Sequence, residues 1–155
     1  MSEITPNFWI FRVGDGVNFK NSKQPFWGVK RGKNGCIKTV VKKLNVGDVC
    51  IFLTSKSYGG NVIGIAEYTG FYDREDEPLI PIHTSTNEEQ NWIGDDPWDI
   101  QIHYTNLYLT EKQKITACIQ CGGIIMEYSK FQDNFNGDMR IHYANFKLYA
   151  EPKLF

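Results

Sequence analysis

The residues of this chain best suited to chemistry are three tryptophans and a set of cations. Trp27, Trp92 and Trp98 offer flat faces, and Lys20, Lys23, Lys30, Arg31, Lys33, Lys38, Lys42, Lys43 and Lys56 offer positive charge. Trp27 opens a basic, glycine-rich stretch, Trp27-Gly28-Val29-Lys30-Arg31-Gly32-Lys33-Asn34-Gly35. Stacking walls beside a positive groove are the combination that holds a flat ring attached to an anion, as in a single or flipped base. Each stacked ring contributes about 1–3 kcal/mol, so two walls make a selective pocket.

Other chemistries lack their residues. There is no nucleophile elbow, P-loop, dinucleotide fingerprint or HExxH pattern. His83, His103 and His142 are scattered, and the strand position of His103 favours a structural role over that of a general base. Cys118-Ile119-Gln120-Cys121 is a lone CxxC without the second half-site that structural zinc needs, and Cys50 lies in an apolar run as a small core residue. Asp95, Asp96 and Asp99 could hold a cation, but a solvated acidic turn is the commoner arrangement. No metal or cofactor is expected.

Charge is uneven along the chain. Residues 1–56 carry ten Lys/Arg against three Asp/Glu, and residues 57–155 carry seven against fifteen. The halves could neutralise each other within the fold, or they could leave a basic face for phosphates and an acidic back. The 155 residues fit one domain with a real core. No apolar run is long enough to span a bilayer, and Met1-Ser2-Glu3-Ile4-Thr5-Pro6 lacks a secretory pattern, so an intracellular location is expected.

The elements that must position these residues follow from periodicity. Phe8-Trp9-Ile10-Phe11-Arg12-Val13 reads as a buried strand, and Val17 to Lys23 as a polar connection. Ile37, Val40, Val41 and Leu44 recur at i, i+3, i+4, i+7, which is one apolar stripe on a short helix. Asn45-Val46-Gly47-Asp48 is a turn, Val49 to Leu53 a central strand, and Val62 to Tyr68 its hairpin partner across Ser57-Tyr58-Gly59-Gly60-Asn61. Gly64 inside that strand predicts a close approach. Residues 73–78 read as an acidic surface turn and 79–97 as a long loop, in which Trp92 either plugs the core or serves a site. Trp98 to Tyr104 alternates as a half-buried strand. Thr110-Glu111-Lys112-Gln113 has capping-box spacing, which predicts a helix from there to Gly122. Ile124 to Phe131 and Ile141 to Tyr149 each read as helix or strand.

The order of these motifs resembles the PUA-like superfamily, in particular its EVE and YTH branches. Phe8-Trp9-Ile10-Phe11 is similar to the EVE opening strand, Trp27-Gly28-Val29-Lys30-Arg31 to the EVE Trp-x-Gly-Val-Arg-Asn segment with one residue fewer, and Leu44-Asn45-Val46-Gly47-Asp48-Val49 to the EVE Val-Gly-Asp turn. Ile63-Gly64-Ile65-Ala66-Glu67 is similar to the Gly-Ile-Ala-Glu strand of both branches. Trp27 and Asn34, seven positions apart, resemble the YTH Trp-to-Asn spacing, and Phe52-Leu53-Thr54-Ser55 to Glu67 resembles the YTH hairpin. Trp92-Ile93-Gly94-Asp95-Asp96-Pro97-Trp98 is similar to the YTH loop that carries cage tryptophans. The resemblance covers residues 7–110.

It implies an α+β fold, a PUA-like small β-barrel built from a curved mixed sheet and flanked by short helices, with residues 1–155 as a single domain. It also implies a non-enzymatic module that binds nucleic acid, RNA or DNA, and recognises a modified, methylated base in an aromatic cage. Trp27 and Trp92 would face each other and sandwich the base, with Trp98 as a third wall. Asn18 or Asn21 would bond the base edge, and Ser55 and Ser57 would sit at the mouth. Gly28 stands where YTH domains have a small polar residue or cysteine. Lys30, Arg31, Lys33, Lys42 and Lys43 would contact phosphates. Two rivals are an ASCH-like hydrolase of modified nucleosides, with Lys30, Glu67 and Asp99 as acid–base groups, and a protein-interaction module without a ligand.

Overall fold

Residues Phe8 to Phe11 and Val49 to Leu53 are apolar at every position, and this predicts strands buried on both faces. The computed structural model, which describes residues 5–75, 86–94, 98–110, 113–120, 122–149 and 151–155, places both inside one sheet. The first is β1 (Phe8–Arg12) and the second β3 (Val49–Leu53), paired in parallel with Phe8 opposite Val49. Between them lie α1 (Val17–Asn21), β2 (Phe26–Val29) and α2 (Cys36–Val41). β4 (Val62–Asp73) returns antiparallel to β3, and β5 (Ile100–Leu109) returns antiparallel to β4. β6 (Ile125–Glu127) pairs with β1, α3 spans Met139–Tyr149, and β7 (Glu151–Pro152) pairs with the end of β5.

The sheet is mixed and seven-stranded, in the order β2-β5-β4-β3-β1-β6 with β7 beside β5. Among the described residues β2 and β6 are its unjoined ends, so strand pairing does not close a barrel. Register shifts in β3–β4 and at two places in β4–β5 bend these strands, as bulges do.

Alternate residues feed two cores. Trp9, Phe11, Cys50 and Phe52 point to one face, which Phe19 of α1, Val41 of α2 and the following Leu44 cover. Phe8, Ile10, Val49 and Ile51 point to the other, where Ile115, Ala117, Ile119, Tyr128, Phe135 and Met139 pack.

The sequence expectations fail in specific places. The connection at 17–23 contains a helical turn, because Phe19 is fully buried there. It stacks on Phe52 at 4.2 Å and lies so close to Gly64 that a Cβ there would come 2.9 Å from its ring. The close approach at Gly64 is thus to the protein's own helix.

Among the described residues after Thr110, Gln113 closes a 3-10 turn onto the Thr110 carbonyl and no α-helix runs on to Gly122. The Thr110 hydroxyl donates to the Val62 carbonyl instead of capping a helix, and Thr116 and Ala117 make isolated strand bridges. Ile115, Ala117 and Ile119 are buried at every second position, and that alternation overrides the capping-box spacing. Glu111, Lys112 and Cys121 lie outside the described residues, as do Asp76 to Pro78 of the acidic turn. Asp73 is not on a surface turn: it ends β4 and is buried. β5 is an interior strand rather than a half-buried one, with Gln101 fully buried beside His103. Ile124 to Phe131 resolves into β6 and a 3-10 turn, and the closing segment is helical.

Candidate nucleic-acid interface

β2 is an end strand, so its outer edge needs cover. The segment 86–94 supplies it. The Gln90 side chain, fully buried, accepts from the Gln24 amide at 2.6 Å and donates to the carbonyls of Gln24 at 3.1 Å and Phe26 at 3.4 Å. Asn18 fastens the far end of the segment from α1. Its Nδ2 donates to the Ile93 carbonyl at 3.0 Å and its Oδ1 accepts from the Ile93 amide at 2.8 Å. The indole of Trp92 donates to the Ser22 hydroxyl at 2.8 Å.

Trp92 therefore sits at the rim of β2 and touches residues from both of its faces. Its ring centroid lies 5.1 Å from Trp27 at 60° and 5.5 Å from Phe26 at 71°. Neighbouring strand residues point to opposite faces. Trp27 goes with the α1 side, where Phe19 meets it edge-on at 6.2 Å. Phe26 and Gly28 share the other side, and Trp98 packs against both. Trp98 lies 5.3 Å from Phe26, and a Cβ on Gly28 would come 2.5 Å from its ring. Arg74 places its guanidinium carbon 3.8 Å from the Trp98 ring centre.

The structure thus gathers the three expected tryptophans but arranges them differently from a three-walled cage. Trp98 is on the opposite face of β2 from Trp27, pressed between Gly28 and Arg74 and nearly buried, so it is a packing residue there. Gly28 is glycine because Trp98 occupies the space of its side chain. Trp27 and Trp92 meet edge to face, whereas a sandwich needs near-parallel rings with a base between them. Trp92 is 9% exposed, while Trp27 remains half-buried with part of its surface open.

The polar candidates divide similarly. Asn18 uses both ends of its amide on Ile93, so its observed role is to hold the Trp92 segment rather than to read a base edge. Asn21 is exposed at the end of α1, and Asn34 is exposed in a left-handed turn (φ 57) after β2. Ser55 and Ser57 lie in the β3–β4 connection, where the Ser55 carbonyl accepts from the amides of Tyr58 and Gly60. Sequence reasoning passed over Ser22 and Gln90. Ser22 stands four residues after Asn18 and donates to its carbonyl at 3.0 Å, a one-turn spacing that could have suggested the link.

The basic set also splits. Arg31 is held by carboxylates from the acidic half: Asp73 at 2.8 Å, Glu75 at 3.0 Å and Asp99 at 3.8 Å. Lys38 reaches the second Asp73 oxygen at 3.0 Å. Burial alone would raise the Asp73 pKa, but the hydrogen bonds from Arg31, the Glu75 amide and Lys38 outweigh it and hold the carboxyl well below the usual range. The hydrogen bond to Asp73, with the charges of Asp73, Asp99 and Glu75, raises the already high Arg31 pKa against the opposing effect of burial. Arg31, expected at a phosphate, is thus engaged by three carboxylates in this structure. Lys30 and Lys33 are exposed just after β2, and Lys42 and Lys43 just after α2.

The proposed hydrolase residues are not assembled. Asp99 accepts the Arg31 backbone amide at 3.0 Å, whereas Glu67, six positions from Asp73 along β4, accepts from the Tyr143 hydroxyl at 3.0 Å and Asn106 at 3.4 Å. The Val-Gly-Asp turn is structural too, since the buried Asp48 accepts from the Trp9 indole at 3.0 Å and from the amides of Asn7 and Asn45. Cys50 is fully buried, and burial pushes its thiol pKa far up. Among the described residues no three metal-ligating side chains cluster, and Asp95 and Asp96 lie outside them.

No protein-family model and no curated protein matches the chain. Among solved structures it is similar to a hypothetical protein from Leishmania major, with 18% identity and TM-score 0.36, covering 65% of this chain and 66% of that one. A protein from Pseudomonas putida gives 16% identity and TM-score 0.37, covering 65% and 69%. The Pho92 YTH domain, solved in complex with m6A, gives 13% identity and TM-score 0.34, covering 72% and 66%. The chain thus spans about two thirds of the length of the structures it matches.

Proposed function

We propose that this chain is a non-enzymatic, single-domain, intracellular reader of a modified base in nucleic acid, a PUA-like domain of EVE or YTH type. The observation that carries the reading is the Trp27–Trp92 pair: two rings at 60°, one half-open, on a strand whose flanks carry exposed lysines. Two rings at that angle form two sides of a cage. The base stacks on the open part of Trp27, its methyl group lies in the angle against Trp92, and Lys30, Lys33, Lys42 and Lys43 meet the phosphates. The Pho92 domain is solved with m6A, which makes methylated adenine the first ligand to try.

The test is a binding screen with single-stranded RNA and DNA oligonucleotides, with and without one methylated adenine, at several salt concentrations. Preference for the methylated strand, with affinity falling steeply with salt, is the expected result. Absence of binding at low salt removes the reading.

A further inference from the structure

A cavity of about 520 Å³ is lined by Lys20 of α1, the β3–β4 connection, the start of β4 and residues 114–116. Its size suits a small organic ligand. Val62, Ile63 and Ile115 line it, and each is almost fully buried, so it has an apolar floor. Its rim carries the exposed ring of Tyr58 and the ammonium-bearing side chains of Lys20 and Lys114, against the single carboxylate of Asp15. A slot of mixed polar and apolar lining, with an aromatic flank and two cations, matches a planar ring joined to a phosphate.

Helix α1 connects this cavity to the first site. Asn18 clamps the Trp92 segment, Phe19 packs against Trp27, and Lys20 lines the cavity. We propose that the cavity between α1 and the β3–β4 connection is a second nucleotide site, holding a ring against Ile63 beside Tyr58 and a phosphate between Lys20 and Lys114. As a site for the neighbouring nucleotide of one strand, it rests on the base-reader assignment above. As a site for a free nucleotide, it does not.

The experiment compares the full chain with Tyr58→Ala and Lys114→Gln, both at exposed positions, and with Trp27→Ala. Probes are a methylated-adenine oligonucleotide, the methylated nucleoside alone, and adenosine monophosphate. Titrations are followed by anisotropy and by the methyl resonances of Ile63 and Ile115. Tyr58→Ala is expected to weaken oligonucleotide binding on the order of tenfold. Lys114→Gln should lower the salt slope by about one. Neither should alter binding of the nucleoside, which engages only the Trp27–Trp92 pair. If both bind the oligonucleotide like the parent while Trp27→Ala does not, the protein reads a single base and the second site is wrong. If the parent binds no oligonucleotide, the base-reader assignment falls. Saturable shifts of Ile63 and Ile115 with adenosine monophosphate then keep a free-nucleotide site, and their absence overturns it.

Discussion

The indole of Trp92 hydrogen-bonds the Ser22 hydroxyl across 70 positions of sequence, and this fixes the ring at the rim of β2. The bond is buried, so removing its acceptor leaves an N–H unpaired away from water. Ser22→Ala is expected to cost about 1–3 kcal/mol of stability, measured by chemical denaturation. In the base-reader assignment it also loosens the second wall, so affinity for the methylated nucleoside falls. A variant as stable as the parent would show that the hydroxyl does not hold the ring.

The tryptophans should separate by role. Trp98→Ala empties a packed site beside Phe26 and Arg74 and should cost about 3–5 kcal/mol of stability, as should Trp9→Ala in the middle of the sheet. Trp27→Ala loses less packing because its ring is partly open, and it should cost about 1–3 kcal/mol of base affinity. Melting and nucleoside titration of all three variants check this. A folded Trp98→Ala protein that has lost only its ligand would place Trp98 in the pocket after all.

Gly28→Ala tests the packing beneath Trp98. The added methyl would meet that ring at 2.5 Å, so ring or strand must shift. The expected loss is about 1–3 kcal/mol. A melting temperature equal to the parent's would mean that the Trp98 ring moves aside freely.

Acid should act through Asp73. Its carboxyl pKa is lowered in the folded state, so the unfolded chain takes up the proton more readily. The stabilisation is full above the ordinary carboxylate pKa of about 4 and drains away as pH falls toward the lowered folded value. Asp73 is buried, so Asp73→Asn should lower stability at pH 7 by about 3 kcal/mol. It should also flatten the loss between pH 5 and pH 2 relative to the parent. Denaturation midpoints across that range decide it; parallel parent and variant curves would assign the acid sensitivity to other groups.

Short-range pattern determined much of the scaffold. The unbroken apolar runs of β1 and β3 mark strands covered on both faces, the β3–β4 pair carries its own turn residues, and the stripe Ile37, Val40, Val41, Leu44 defines α2. Local period suffices there because the residues that decide the structure lie within a few positions of each other. The alternation of Ile115, Ala117 and Ile119 was equally legible, and it prevails over the capping-box spacing because burying three side chains outweighs one helix cap. The site was legible only as a list of residue types. That Trp27 and Trp98 lie on opposite faces of β2, that Asn18 serves the backbone of Ile93, and that Arg31 belongs to Asp73 depend on partners 42 to 75 positions away. Sequence period records which face a residue takes within its own element. Only the tertiary fold decides which distant side chain comes to cover that face, and so which of two identical residue types remains open to a ligand.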